Sequence, residues 1–217
     1  MFIQDYISKD FPSFDISNSI EEAAETAREF SYSHVFVTRN GAFLGAISLA
    51  FLEESPEGTL HSLEIHFERF AVLEDGHLLD AIKLFHIFSS NLVPVIDKQE
   101  RYLGYISSDD IFNEFSKYPL FSESGAVIII QKNYRDYSFT EIAKIVEENN
   151  SKIFGSFISA IEGDDVQITL KISSENLSSI DETFERYGYE VIVKHYDDGK
   201  EELLKARFGF FQKYLEF

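Results

Sequence analysis

Gly104-Tyr105-Ile106-Ser107-Ser108-Asp109-Asp110 decides the fold, because Gly45-Ala46-Ile47-Ser48-Leu49-Ala50-Phe51 carries the same pattern 59 positions earlier. Phe43-Leu44 matches Tyr102-Leu103 at the same offset. Further upstream, Ile20 matches Leu78, Ala23 matches Ala81, and Phe36-Val37 matches Pro94-Val95, now 58 positions apart. The one-residue misfit falls in two turns, Arg39-Asn40-Gly41 and Asp97-Lys98-Gln99-Glu100-Arg101. Length changes cost least in loops, so the misfit supports the alignment. Self-similarity at a fixed interval marks a duplicated supersecondary unit that needs its neighbour to close a core.

Each unit reads as short strand, helix, strand, tight turn, strand, helix. Ser17 or Asn18 caps a helix running to about Phe30, with Ile20, Ala23, Ala24 and Ala27 at helical spacing. His34 to Thr38 is a short β-branched run, Asn40-Gly41 is a hairpin turn, and Ala42 to Ser48 is the returning strand. The second unit gives a helix near His77 to Phe88, strands Leu92 to Ile96 and Tyr102 to Ser107, and a helix from Ser108 to about Lys117. Ser107 or Ser108 serves as its N-cap, and Asp109 and Asp110 suit the first turn of the dipole.

On Pro94-Val95-Ile96-Asp97 and Gly104 to Asp110, with Gly45 to Phe51 as a weaker counterpart, the first 120 residues or so resemble a tandem pair of CBS (cystathionine-β-synthase) domains, a Bateman module. The resemblance implies one CBS domain over residues 1–60 and a second over 61–121. In CBS domains that bind adenosyl ligands, a Ser or Thr and an Asp at this junction hold the phosphate and the ribose, which places those roles on Ser107 and Asp110. Gly104 admits a close backbone approach, the following helix offers free N–H groups, and Pro94, Val72 and Val93 wall the base. The competing account of the same residues is helix capping alone. No Lys or Arg lies inside the motif; Arg69, Lys98 and Arg101 are nearest in sequence. In the first unit Phe51 stands where the ribose carboxylate belongs, so that site is expected closed or reshaped, leaving at most one intact site per chain.

Ser122-Glu123-Ser124-Gly125 marks a boundary, and residues 125–217 read as a different domain. Ala126 to Ile130 is an apolar run expected to be buried on both faces. Phe139, Ile142, Ile145 and Val146 set a helix ending at Asn149-Asn150. Lys152 to Ile161, the turn Glu162 to Asp165, and the strictly alternating Val166 to Ile172 form a hairpin. Leu177, Ile180, Phe184 and Tyr187 mark a helix, and Tyr189 to His195 a last strand. This βαββαβ order is the ferredoxin-like arrangement. In size and position it resembles an ACT domain, and the whole resembles the AcuB (acetoin utilization) type of regulatory protein. The loop Lys132 to Tyr137 lacks the Gly of amino-acid-binding ACT domains, so the domain is expected to pair surfaces. Leu204, Phe208, Phe211 and Leu215 continue as a C-terminal amphipathic helix. The expected fold is thus a mixed α/β (α+β) chain.

Composition narrows the function. Among 217 residues, 38 acidic against 19 basic side chains give a net charge of -19, which opposes nucleic acid and anionic membrane as partners. The absence of Cys removes thiol catalysis and thiolate metal sites. Met1 to Asp5 lacks a signal-peptide pattern, and a cytoplasmic protein is expected. His61, His66, His77 and His86, with Glu64, do not repeat at metal-ligand spacing, and Asp164-Asp165 and Asp197-Asp198 are explained as turns. No nucleophile elbow, P-loop or dinucleotide fingerprint is present. The expectation is a non-enzymatic homodimer requiring no cofactor, which senses AMP, ADP, ATP or another adenosyl ligand and relays it to a regulated partner enzyme. The alternative is an assembly module with an unoccupied pocket.

Overall fold

The computed structural model describes residues 2–54, 56–173 and 177–196, in two compact units, Met1–Phe115 and Ser116–Phe217. The predicted C-terminal helix lies outside the described residues. No helix among the described residues is long and apolar enough to cross a membrane.

The first unit holds both repeats. A short 3-10 turn, Ile3–Tyr6, precedes β1 (Phe14–Asp15), α1 (Ile20–Glu29), β2 (His34–Arg39), β3 (Ala42–Ser48) and α2 (Leu49–Glu54). A second 3-10 segment, Leu60–His66, leads to β4 (Val72–Leu73), α3 (Leu78–Ile87), β5 (Leu92–Ile96), β6 (Tyr102–Ser107) and α4 (Ser108–Phe115). Each repeat builds a three-stranded sheet with a parallel and an antiparallel neighbour, β1-β2-β3 and β4-β5-β6. Asn40 and Gly41 both have positive φ, 54° and 81°, which matches the twist of the β2–β3 hairpin. The α1 cap is Ser19, whose side chain accepts from Glu22 N, rather than Ser17 or Asn18. Those two are held instead by Asp15: its backbone N donates to Asn18 Oδ1, and its carboxylate accepts from the Ser17 N–H and hydroxyl. The α3 cap is the imidazole of His77, paired with Asp80 in a capping box.

One core serves both repeats, running from Ile20, Ala23 and Ala27 of α1 through Val35 and Phe36 to Leu78, Leu92, Val95 and Ile106. At its centre the repeats latch reciprocally. Ser33 and Asn91 are equivalent positions, 58 apart; Ser33 N donates to Asn91 Oδ1 (2.9 Å) and Asn91 N donates to Ser33 Oγ (2.9 Å). The chain also exchanges its closing segments. Ser8 pairs with Tyr105 of β6, whereas Glu68 pairs with Ala46 of β3. The glycine beside each bridge makes this approach feasible. A Cβ on Gly104 (φ 147°) would lie 2.4 Å from Ser8 O, and one on Gly45 would lie 2.8 Å from Phe67 Cβ.

The second unit opens with α5 (Pro119–Ser122), followed by β7 (Ala126–Asn133), α6 (Phe139–Glu148), β8 (Ile153–Glu162), β9 (Asp165–Ile172), α7 (Leu177–Arg186) and β10 (Glu190–Tyr196). The sheet order is β10-β7-β9-β8, the ferredoxin-like order 4-1-3-2. Ala126, Ile128, Ile130, Val166, Ile168, Leu170 and Ile172 are buried with Ile142, Ile145, Val146, Ile180 and Phe184 of α6 and α7. β7 is not buried on both faces. Val127 and Ile129 are only half-buried, because α6 and α7 both cover the opposite side of the sheet. Asn150, in the left-handed conformation at φ 57°, ends α6.

Candidate functional site

The duplication presents two strand-to-helix junctions, one at the end of β3 and one at the end of β6. In the second, Ser107 Oγ donates to Asp110 Oδ2 at 2.7 Å, Ser107 N donates to the same oxygen at 3.0 Å, and Asp110 N donates back to Ser107 Oγ at 3.0 Å. This closed box caps α4 and aims the carboxylate across the junction, with both residues half-exposed. Gly104 lies on the same strand, and the close approach it permits is made by Ile7, Ser8 and the stem of Lys9. Arg101 and Lys98 are tied to Asp97 (2.6 Å) and Asp75 (2.7 Å).

Val93 and Pro94 are buried on β5, opposite Ile106 and Tyr105. Val72, on β4, lines a hollow of about 350 Å³ against α3, with Asp75, Gly76 and Asp80. The structure thus brings Gly104, Ser107 and Asp110 to one junction and packs Val93 and Pro94 in the strand beside it. Tyr105 fills the space behind them. Its hydroxyl donates to Asp10 and meets Tyr32 Oη at 3.0 Å, and Phe11 stands edge-on to both rings. Burial first, and then the Asp10 bond, hold the Tyr105 phenol protonated far above its usual range.

At the first junction Phe51 packs on His66 at 4.7 Å, and its backbone N donates to Ser48 Oγ, so the carboxylate position is apolar. A cleft of about 500 Å³ remains, lined by Ser33, His34, Ser48, Glu53, Glu68 and Phe88 among others. That volume lies within the range of small-molecule sites. His34 is buried; Nδ1 meets Ser33 Oγ at 2.9 Å and Nε2 meets Glu68 Oε2 at 3.2 Å. Desolvation, outweighing the attraction of Glu68, lowers the His34 pKa and keeps the ring neutral. Reading the repeat along the chain misses His34, Glu53, Glu68 and Lys9, because the segments that deliver Glu68 and Lys9 belong to the strand exchange. A signal was present in the paired glycines, each of which demands a close neighbour.

The histidines singled out in sequence do not gather. No group of three or more potential metal ligands among the described residues is placed to hold an ion. In the second unit the Lys132 to Tyr137 loop is occupied by its own contacts. Lys132 Nζ donates to Glu141 Oε2 and to Tyr187 O, both at 2.9 Å, and lies 4.1 Å from the centre of the Tyr189 ring. The Lys132 hydrogen bond holds the Glu141 carboxyl below its usual range, and burial pushes Tyr189 up to about 12.

The first unit is thus a duplicated βα body in which the segment leading each repeat bridges to the other, with a Ser-x-x-Asp junction at the end of β6. The CBS domain family model matches residues 3–50 and again 66–117, so the N-terminal half is a tandem pair of CBS domains. A CBS domain pair/ACT domain protein from Thermotoga maritima is 21% identical, with 53% of this chain and 96% of that one covered at a TM-score of 0.47. The CBS domains of a Streptococcus pneumoniae transcriptional regulator are 13% identical, with 52% and 98% covered at 0.46. A CBS domain pair in complex with 5′-methylthioadenosine and S-adenosyl-L-methionine is 22% identical, with 54% and 96% covered at 0.43. No curated protein matches the chain by sequence.

Proposed function

We propose that this chain is a non-catalytic, cytoplasmic regulatory protein whose second CBS repeat holds an adenosyl ligand, AMP, ADP, ATP or a relative, and relays its presence to a partner enzyme. The observation that carries this reading is the β6–α4 junction, where Ser107 orients the Asp110 carboxylate. Asp110 accepts from two ribose hydroxyls. The phosphate takes the Ser107 hydroxyl, turned away from Asp110, and the positive end of the α4 dipole. Because Ser8 bridges to Tyr105 of β6, a ligand at the end of that strand links the N-terminal segment to the second repeat. It biases only geometries that bring the two together. Calorimetry with AMP, ATP and S-adenosylmethionine tests the site. Asp110→Ala is expected to abolish the heat of binding while Phe51→Ala retains it; equal heats from wild type and Asp110→Ala overturn the assignment.

A second reading is an assembly module with an unoccupied pocket. It is favoured by the mutual satisfaction of Ser107 and Asp110 and by Phe51 at the first junction. A ligand at a hundred times its Kd stabilises by about 2.7 kcal/mol. Melting curves unmoved by millimolar nucleotide therefore favour assembly.

A further inference from the structure

In the second unit α6 and α7 cover one face of the sheet, and the residues between the buried ones on β7 and β9 turn to the other. A sheet face left to water is normally polar. This one carries an apolar row. Val193 of β10 pairs with Ile129 of β7, Ile129 with Thr169 of β9, and Thr169 with Phe157 of β8, so the four stand side by side across all four strands. Val193 and Phe157 are 41% and 46% exposed, and Ile129 is half-buried. The row has clear limits. On one side lie Gln131 and Gln167, hydrogen-bonded to each other at 3.0 Å. On the other, Gly155 sits under α5, where an added Cβ would stand 2.8 Å from Leu120 Cδ1. Thus α5 shields one corner of the open face and leaves the row itself uncovered by any described element.

The chain itself supplies a surface that matches. Residues 203–217, outside the described residues, hold Leu204, Phe208, Phe211 and Leu215 at spacings of four, three and four, one helical stripe. Leu203, Phe210, Tyr214 and Phe217 widen it. From Leu204 to Leu215 such a helix runs about 16 Å. The three strand spacings from β10 to β8 measure about 14 Å. The reach is sufficient too: β10 ends at Tyr196, and residues 197–202, with Gly199 among them, can span up to about 20 Å, enough to fold back from the edge strand onto the face. A lone helix of this length is marginal in water, and Gly209 inside it weakens it further, so the stripe needs apolar surface in order to form. The helix-covered side of the sheet is already filled by Ile142, Ile145, Val146, Ile180 and Phe184. The open face is what remains in this unit.

We infer that residues 203–217 dock as an amphipathic helix on the open face of the sheet in their own unit, seated on Val193, Ile129, Thr169 and Phe157. This is independent of any ligand in the CBS pair. Limited trypsin digestion of the full-length protein, followed by mass spectrometry, reads the docking at Lys205, Arg207 and Lys213. When opening and closing are fast, cleavage follows the population of the undocked form. In the wild type these sites are expected to be cut at least tenfold more slowly than in Val193→Asp or Phe157→Asp. Both positions are exposed, so the substitutions leave the fold intact, as far-UV circular dichroism checks. Ile161→Asp is the control: it is 58% exposed and turned to the helix-covered side, and it keeps the wild-type rate. Wild-type cleavage as fast as that of the Val193→Asp and Phe157→Asp variants overturns the docking, and so does an equal acceleration by Ile161→Asp. Protection that vanishes on hundredfold dilution places the segment on a second copy and overturns the intramolecular assignment.

Discussion

Replacing Gly104 by alanine tests the exchange of closing segments. The new Cβ would stand 2.4 Å from Ser8 O and 2.5 Å from Ile7 Cγ2, at a residue whose φ is 147°. Neither obstacle gives way cheaply, since the first is backbone. Holding a residue with a side chain at such a φ costs about 1–3 kcal/mol, and overpacking costs about 1–3 kcal/mol more. The expected loss is about 2–6 kcal/mol, a large part of the roughly 5–15 kcal/mol that holds a domain together. Gly41→Ala is the control: its φ is also positive, 81°, yet nothing lies within 4 Å of the added atom, so only about 1 kcal/mol is at stake. Urea unfolding followed by far-UV circular dichroism gives both numbers. A second arm removes residues 2–9. With Ser8 gone the clash disappears while the φ strain stays, and Gly104→Ala then costs about 1–3 kcal/mol less than in the full chain. If Gly104→Ala proves no worse than Gly41→Ala, or if its whole cost survives the truncation, the Ile7–Lys9 segment does not close on β6.

Asn91→Ala removes the acceptor of Ser33 N and Ser33 Oγ and the donor to Ser31 O, and is expected to cost about 2–3 kcal/mol by urea unfolding, cooperatively for both repeats. The Tyr102 hydroxyl is buried without a hydrogen-bond partner among the described residues, so Tyr102→Phe is expected to leave the melting temperature unchanged or raise it, and a drop of several degrees refutes that view. His34, its pKa depressed by burial, stays neutral in the folded chain while the unfolded chain takes up a proton below about 6.5. Its contribution is full above pH 6.5 and is lost as the pH falls through the folded value. The wild type is therefore expected to lose more stability than His34→Gln between about pH 7.5 and 5.5, and equal losses count against it.

How much of this was legible along the chain depends on the range of the signal. The duplication showed because Gly45 and Gly104 sit at matched positions within β3 and β6, and the β9 strand showed because its alternation is unbroken from Val166 to Ile172. Asn40-Gly41 named its own turn. Local caps were less secure, since Ser17, Asn18 and Ser19 all have capping chemistry and only the Asp15 turn decides among them. The apolar run at β7 looked buried on both sides because composition does not reveal that α6 and α7 share one sheet face. At the junctions, Ser107 and Asp110 could be read from spacing. Lys9 and Glu68 could not: Lys9 stands 95 residues from Gly104 in sequence, and Glu68 reaches His34 across 34 positions.

The exchange of segments means that neither repeat, cut at its own borders, is whole. The second lacks the segment that bridges to β6 unless residues 7–9 are supplied, and those residues lie ahead of β1 at the start of the first repeat. A fragment beginning near Glu68 should therefore recruit a synthetic peptide spanning residues 2–12, the way a split reporter recovers its missing piece. Fusing that peptide behind Phe115 would make a rearranged second half that carries everything it needs.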